Sequence, residues 1–367
     1  MLKVGIDIRD LRIAKTGVKT YTEELIKAFK KQNDSEVKFV YLDTFIAVYT
    51  GKNKFLKLIE HIRFTFWKQL VLPIIARLKG CDIIFCADFF VPYFKMGTKT
   101  VPVLHDAFFF EYPEHYNKLW LFLFHKLGVN AAKKADAIIT PTQYAKLRIT
   151  EFSNLPAEKI EVIHEGPKSL HASKDDDSAL IKTLTDQKYI LHVGVMEKRK
   201  NIINLLKAFL LLINIHPAVK LVLVGQFSPK KDMNDQTAIL EFIDKNKLRE
   251  HVILPGYVPD NKLVHYYKNA TMYVFPSINE GFGIPVLEAF EQGLPVAIAN
   301  NSCLPEIAGN AALSFDPFNP EDIYQKMRLI IEDADLKNSL IAKGKERIKQ
   351  FSWEITAKQT INLFKRL

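Results

Sequence analysis

Two carboxylates, Glu280 and Glu288, bracket the turn Glu280-Gly281-Phe282-Gly283-Ile284-Pro285-Val286-Leu287-Glu288. The preceding run, Met272-Tyr273-Val274-Phe275-Pro276-Ser277, reads as a buried strand ended by proline. Pro285 suits the first turn of a helix, where a missing N–H leaves no hydrogen bond unmade. Gly281 and Gly283 let backbone approach a ligand closely, and the N–H groups of a helix start attract an anion. Acids beside such a site cannot favour the anion itself. They suit hydroxyl groups, most simply those of a sugar, so the turn points to a nucleotide sugar. The competing reading is an ordinary strand–turn–helix with solvated acids, because short motifs arise by chance.

A second cluster is Val193-Gly194-Val195-Met196-Glu197-Lys198-Arg199-Lys200-Asn201. Three consecutive bases after a buried strand supply positive charge where a departing nucleoside diphosphate needs it. Arg199 offers paired donors and Lys200 a movable point charge. Taken alone, such a run is more often a solvated basic turn. A third stretch, Val103-Leu104-His105-Asp106-Ala107-Phe108-Phe109, puts a histidine at a strand end. A lone histidine is more often structural, and Asp106 either orients it or caps the segment that follows. Thr16-Gly17-Val18-Lys19-Thr20-Tyr21 places Gly17 ahead of a helix expected over 23–29, where a glycine would let the loop approach a diphosphate and an acceptor.

These residues need strands to hold them. Short apolar runs alternate with longer helical patterns, which predicts parallel sheets. First-half strands are expected at 3–8, 37–42, 83–86, 100–104, 137–140 and 160–163. Second-half strands are expected at 189–194, 220–224, 252–254, 272–275, 296–299 and 313–315. His105, Gly194 and Glu280 each follow a strand, at the carboxyl ends where open α/β sheets bind ligands. The polar stretch 166–187, with Asp175-Asp176-Asp177, is the best linker. The expected division is an N-terminal domain over 1–170 and a C-terminal domain over 171–353.

A chain of 367 residues suits two domains, and its 48% hydrophobic and 25% charged residues match an ordinary globular protein. No apolar stretch is long enough to span a membrane. Asp7 interrupts what a signal peptide would keep apolar, and three cysteines without metal spacing suit a reduced, cytoplasmic setting. The net charge is +10. Much of it lies over 45–80, where Lys52, Lys54, Lys57, Arg63, Lys68, Arg77 and Lys79 face one acid, Glu60. Over 55–72, Phe55, Leu58, Ile59, Ile62, Phe66 and Leu70 form one helical face, expected to pack inward. Phe64 and Trp67 fall opposite, among lysines, as on a helix that dips into anionic lipid headgroups. The alternative is a surface helix whose two aromatics a neighbouring loop covers. No DNA- or RNA-binding motif accompanies the charge, so nucleic acid is not an expected partner.

The block from Phe275 to Pro317 continues through Gly293-Leu294-Pro295-Val296, Leu304-Pro305-Glu306-Ile307-Ala308-Gly309-Asn310-Ala311-Ala312 and Phe315-Asp316-Pro317. It resembles the donor-binding half of retaining GT-B glycosyltransferases of the large family-four group, and the resemblance covers nearly the whole chain. It implies an α/β GT-B fold: two doubly wound, Rossmann-like parallel-sheet domains facing across a cleft, with a terminal helix over about 354–367 returning to the first domain. It implies that Glu288 holds the nucleotide ribose and Glu280 the donor sugar. Lys200 matches the family's diphosphate clamp. Val195 stands where the commonest version has arginine, so Arg199 is the expected substitute. Amides near Phe282, Gly283 and Ile284, with Gly17 opposite, would meet the diphosphate, and His105 would bond a sugar hydroxyl.

The implied reaction moves a hexosyl group, mannosyl among the options, from a nucleotide sugar to a glycan or lipid-linked acceptor in bacterial surface polysaccharide synthesis, lipopolysaccharide included. A front-face displacement without protein nucleophile, cofactor or metal is expected. Asp175-Asp176-Asp177 and Asp333-Ala334-Asp335 read as solvated charge rather than as metal motifs. The basic helix adds an anionic membrane surface, placing the chain peripherally on the inner face of the plasma membrane. The rivals are a sugar-nucleotide epimerase of the same fold, which needs no acceptor, and a non-catalytic sugar-nucleotide-binding subunit.

Overall fold

The computed structural model describes residues 1–12, 17–44, 46–51, 53–115, 121–122, 124–170, 184, 187–229 and 231–367. Thr16, Asp175-Asp176-Asp177 and most of the expected linker lie outside the described residues. The chain forms two compact units: Met1–Glu165 with Trp353–Leu367, and Gly166–Ser352.

In the first unit, β1 (Leu2–Asp7), β2 (Val37–Leu42), β3 (Ile83–Cys86) and β4 (Lys99–Pro102) make a parallel sheet in the order β2-β1-β3-β4. All four residues of β3 are buried, as a strand covered on both faces requires. β4 ends earlier than expected, at Pro102, which has no N–H for the ladder. β5 (Ile138–Thr140) and β6 (Ile160–Val162) form a parallel pair, tied to the chain after β4 where Leu104 N–H donates to Ile139 O at 2.8 Å. The terminal helix Trp353–Arg366 lies in this unit's core. Trp353, Ala357, Ile361 and Phe364 pack with Val4, Phe29 and Phe85, and the Phe364 and Phe85 rings meet edge to face.

The helix expected over 55–72 is three pieces: Lys54–Phe66, a wider π-helical turn Trp67–Val71, and Leu72–Leu78. Asn53 caps it, its Oδ1 accepting from Phe55 N at 2.9 Å and Leu56 N at 3.2 Å. Its faces are the reverse of those expected. Phe55, Ile62 and Phe66 are 68%, 62% and 57% exposed, and Leu58, Ile59 and Leu70 are exposed with them, whereas Trp67 is 3% exposed. The reason is polar. The Trp67 Nε1–H needs an acceptor and finds both Asp7 carboxylate oxygens at 3.2 Å; the Lys68 ammonium finds three carboxylates. Phe64 turns in beside them, edge-on to Phe90. Buried donors must be satisfied, and only the inward face offers partners.

In the second unit, β7 (Tyr189–Val193), β8 (Lys220–Val224), β9 (Val252–Gly256), β10 (Met272–Phe275), β11 (Val296–Ala299) and β12 (Ala312–Phe315) form a parallel sheet in the order β12-β11-β10-β7-β8-β9. The chain runs outward from β7 in one direction and from β10 in the other. The crevice beyond the ends of β7 and β10 is therefore the switch point at which such sheets bind ligands. In the first unit the same reversal falls between β1 and β3. Asp333, read as solvated charge, caps the helix Ala334–Arg347 by accepting from Leu336 N.

Candidate functional site

The residues after β7 and those after β10 meet at that switch point. The chain leaving β7 passes close to the chain leaving β8: a Cβ on Gly225, at φ +140°, would stand 1.9 Å from Gly194 O. Only glycine fits there; beyond Glu197 the chain enters the short 3-10 helix Lys198–Lys200. Arg199 O then accepts from Ile278 N at 2.8 Å, pinning the basic turn to the loop after β10.

Both cations converge on one acid. Glu280 Oε1 lies 2.6 Å from Lys200 Nζ and 2.8 Å from Arg199 Nη1. Arg199 also pairs with Glu197 at 3.0 Å and donates to Asn279 O at 3.1 Å. Burial alone would raise the Glu280 carboxyl, but Arg199 and Lys200 override it and hold it at about 2. For Lys200, burial wins over Glu280 and lowers the ammonium from its ordinary value. Its Nζ stands 4.7 Å from the Phe275 ring centroid, a cation–π contact that offsets part of the lost hydration.

Gly283, at φ +96°, is the N-cap of the helix Ile284–Glu291, with Pro285 in its first turn. Glu288 lies inside this helix and is buried. Tyr267 Oη donates to Glu288 Oε2 at 2.7 Å. Burial pushes the Glu288 carboxyl up to about 7, against the lowering effects of Tyr267 and Lys168. Nearby, Asn301 Oδ1 and Ser302 Oγ are shielded from solvent and have no hydrogen-bond partner among the described residues, although Asn301 Nδ2 is held by Ile278 O. His192, buried within β7, gives one ring nitrogen to Val274 O at 3.1 Å. Burial and Lys200 depress it to about 4, so it stays neutral.

His105 lies in the other unit. Its Nδ1 is 3.2 Å from Glu165 Oε1 and its Nε2 3.0 Å from Ala87 O. A carbonyl can only accept, and so can an ionised carboxylate. Burial lowers His105, yet Glu165 outweighs it and raises the pKa, which favours an imidazolium donating to both. Asp106 accepts from Phe108 N at 3.0 Å, the capping alternative for this residue. Gly17 is the first residue of the helix Gly17–Gln32, longer than expected, with open space where a Cβ would stand.

A second charged cluster occupies the β1/β3 switch point. Lys68 Nζ lies 2.8 Å from Asp7, 2.6 Å from Asp88 and 3.6 Å from Asp10. Arg9, almost wholly buried, pairs with Asp10 and Glu60. Burial raises the Asp88 carboxyl from the ordinary carboxylate range, and Lys68 only partly reverses this. Among the described residues no group of His, Cys, Asp and Glu is arranged to hold a metal ion, and no helix is long and apolar enough to cross a membrane.

The motifs thus bring Glu280, Arg199 and Lys200 together, with Glu288 on the adjoining helix. Sequence reasoning missed Glu165, Tyr267 and the acids around Lys68. The string Asp7-Ile8-Arg9-Asp10, charged side chains at and just beyond the end of a buried strand, was the available signal for the last of these.

Two family models match: glycosyl transferases group 1 over residues 173–347 and glycosyltransferase family 4 over residues 15–167. The chain is 30% identical over 285 residues to O-antigen chain mannosyltransferase B of Escherichia coli, covering 76% of this chain and 73% of that protein. It is 28% identical over 306 residues to the serotype-specific mannosyltransferase WbdA of Escherichia coli, covering 78% of this chain but only 37% of that longer protein. Among solved structures, Anabaena HepE in complex with UDP and glucose superposes with a TM-score of 0.72 at 17% identity, covering 100% of both chains.

Proposed function

The chain belongs to the group 1, family 4 glycosyltransferases of GT-B fold, and from that premise we propose that it transfers a mannosyl or related hexosyl group from a nucleotide sugar, with retention of configuration, to a lipid-linked glycan of the O-antigen kind. The observation that carries the donor half is the convergence of Lys200 and Arg199 on Glu280 at the β7/β10 switch point. With no donor bound, Glu280 and Glu197 neutralise the two cations. An entering diphosphate competes for them, and the start of the helix Ile284–Glu291 adds favourable N–H groups. Glu280, relieved of its partners, can then accept hydroxyls of the donor sugar. Glu288, drawn into its ionised form, accepts the ribose hydroxyls.

In the reaction the bond between the sugar anomeric carbon and the β-phosphate oxygen breaks as the acceptor oxygen bonds to the same face. The acceptor proton passes to the departing phosphate. Negative charge gathers on that phosphate, so Lys200 and Arg199 stabilise the transition state more than the ground state. His105 keeps both ring nitrogens engaged within its own unit, which suits a fixed positive charge better than a proton shuttle. No metal enters this scheme.

The acceptor half rests on the exposed apolar face of the helix Lys54–Phe66, flanked by Lys57. A stripe of this size facing outward marks an interaction surface, and its basic flank suits anionic lipid at the inner face of the plasma membrane. The inserting residues are Phe55, Ile62 and Phe66 rather than Phe64 and Trp67.

Calorimetric titration with UDP-, GDP- and dTDP-sugars, with and without chelator, tests the donor site. One of them should bind regardless of chelator and fail to bind Glu288→Ala, which remains folded. Equal binding by the variant removes Glu288 from the site.

A further inference from the structure

A cavity of about 520 Å³ lies in the first unit between the helix Lys54–Phe66, the π-helical turn that follows it, Phe90 to Phe94, and Phe124. Its volume falls in the range of about 300–1,000 Å³ typical of small-molecule sites. The walls are almost entirely carbon, from Ile62, Phe64, Leu70, Phe90, Phe94 and Phe124. Two of the polar side chains among the lining residues have partners already. Thr65 Oγ1 donates to His61 O, and Gln69 bonds Val91 O and Tyr93 N. Lys68 lines the cavity, yet its ammonium is committed to Asp7 and Asp88. Such walls offer a sugar or a nucleobase few groups to bond with. They suit hydrocarbon.

The surroundings narrow the occupant further. Ile62, Phe66, Leu70 and Phe94 line the cavity and are also exposed, so it opens directly onto the outward apolar stripe. Exposed Lys134 sets its ammonium 3.6 Å from the ring centroid of Tyr93, another lining residue. Hydrocarbon inside and an exposed cation against a lining ring match an amphiphile with an anionic head. On the other side of the Lys68 side chain are Asp7, Asp10 and Asp88, acceptors for hydroxyl groups.

We propose that this cavity is a binding site for the hydrocarbon chain of a lipid-phosphate-linked acceptor, with the phosphate held at the mouth by Lys134. The proposal rests on the lipid-linked reading of the acceptor. It goes beyond surface adhesion, because one chain leaves the bilayer plane and enters the protein.

The test uses soluble farnesyl phosphate, geranyl phosphate and inorganic phosphate as probes, titrated by calorimetry into the whole chain. Farnesyl phosphate should bind about tenfold or more tighter than geranyl phosphate, because the longer chain buries more apolar surface, and inorganic phosphate should not compete. Thr65→Trp fills the cavity and should weaken farnesyl phosphate about tenfold or more, leaving nucleotide-sugar binding in the other unit intact. Phe55→Ser with Ile59→Ser, outside the lining, should reduce adhesion to anionic vesicles and leave farnesyl phosphate binding unchanged. Equal affinity for the three probes, or wild-type binding by Thr65→Trp, overturns the proposal. So does dimerisation that Thr65→Trp abolishes while farnesyl phosphate fails to bind, since a second copy would then fill the cavity. Nucleotide-sugar binding that persists without farnesyl phosphate binding overturns the cavity's assignment alone and leaves the donor reading standing.

Discussion

Each sheet places a buried lysine at its switch point, and the two lysines live in opposite company. Lys200 and Arg199 share the Glu280 carboxylate, and Glu280 is held down at about 2. Lys68 faces Asp7, Asp88 and, more distantly, Asp10; burial would lower it, but the acids win and raise its pKa. In the first cluster two cations meet two acids, Glu280 and Glu197, whereas in the second Lys68 and Arg9 face four acids, Asp7, Asp10, Asp88 and Glu60. Under the proposed function the first suits an incoming diphosphate, and the acid-rich second suits hydroxyl groups and resists negative charge. The proposed transfer, with a diphosphate donor on one sheet and an alcohol acceptor on the other, would use this asymmetry, and the same residue type would serve both because its neighbours decide its role.

Removing Lys68 from the acidic cluster should have the largest effect. Lys68→Ala leaves Asp7 and Asp88 at a buried site without their cation and should cost about 3–5 kcal/mol of stability, read from urea unfolding. A loss below about 1 kcal/mol would mean that the acids do not depend on Lys68. Lys200→Ala should instead spare stability and lower turnover by about 10²–10³-fold, as when one transition-state donor is lost. Unchanged kinetics would exclude Lys200 from the leaving-group site and dissolve the contrast.

The smallest effect is a pH dependence. Burial holds the Glu288 carboxyl at about 7, so below that pH it is mostly protonated. Ribose hydroxyls donate best to the ionised form. Donor binding should therefore release a proton, and affinity should rise about tenfold between pH 6 and pH 8. The sign for folding is opposite: a raised carboxyl pKa makes Glu288 cost stability as pH climbs from the ordinary carboxylate range through about 7. A donor affinity flat over this interval would remove Glu288 from the ribose contact.

The strands were legible because buried parallel strands are nearly unbroken apolar runs: Ile83–Cys86, Lys220–Val224, Met272–Phe275 and Val296–Ala299 stand where expected. The Glu280–Glu288 turn was legible because its glycines and proline are adjacent in the chain. The helix Lys54–Phe66 was misread because both of its faces carry apolar residues, and periodicity cannot say which faces inward. What decides is the acceptor that the indole of Trp67 finds in Asp7, a partner 60 residues away. Glu165 and Tyr267 escaped for the same reason. Each acquires meaning from His105 or Glu288, 60 and 21 residues distant, and a carboxylate or phenol alone carries no motif.

The core of the first unit is closed by the chain's last helix, Trp353–Arg366. During synthesis residues 1–165 leave the ribosome long before that helix exists, and at about 5–20 residues per second the wait lasts roughly tens of seconds. Val4, Phe29 and Phe85 lack their partners Trp353 and Phe364 for that time. The second unit, drawn from one uninterrupted stretch, needs no such delay. The nascent polypeptide therefore completes its middle before its beginning, and a ribosome that stops short of Trp353 releases a finished second unit attached to an unfinished first one.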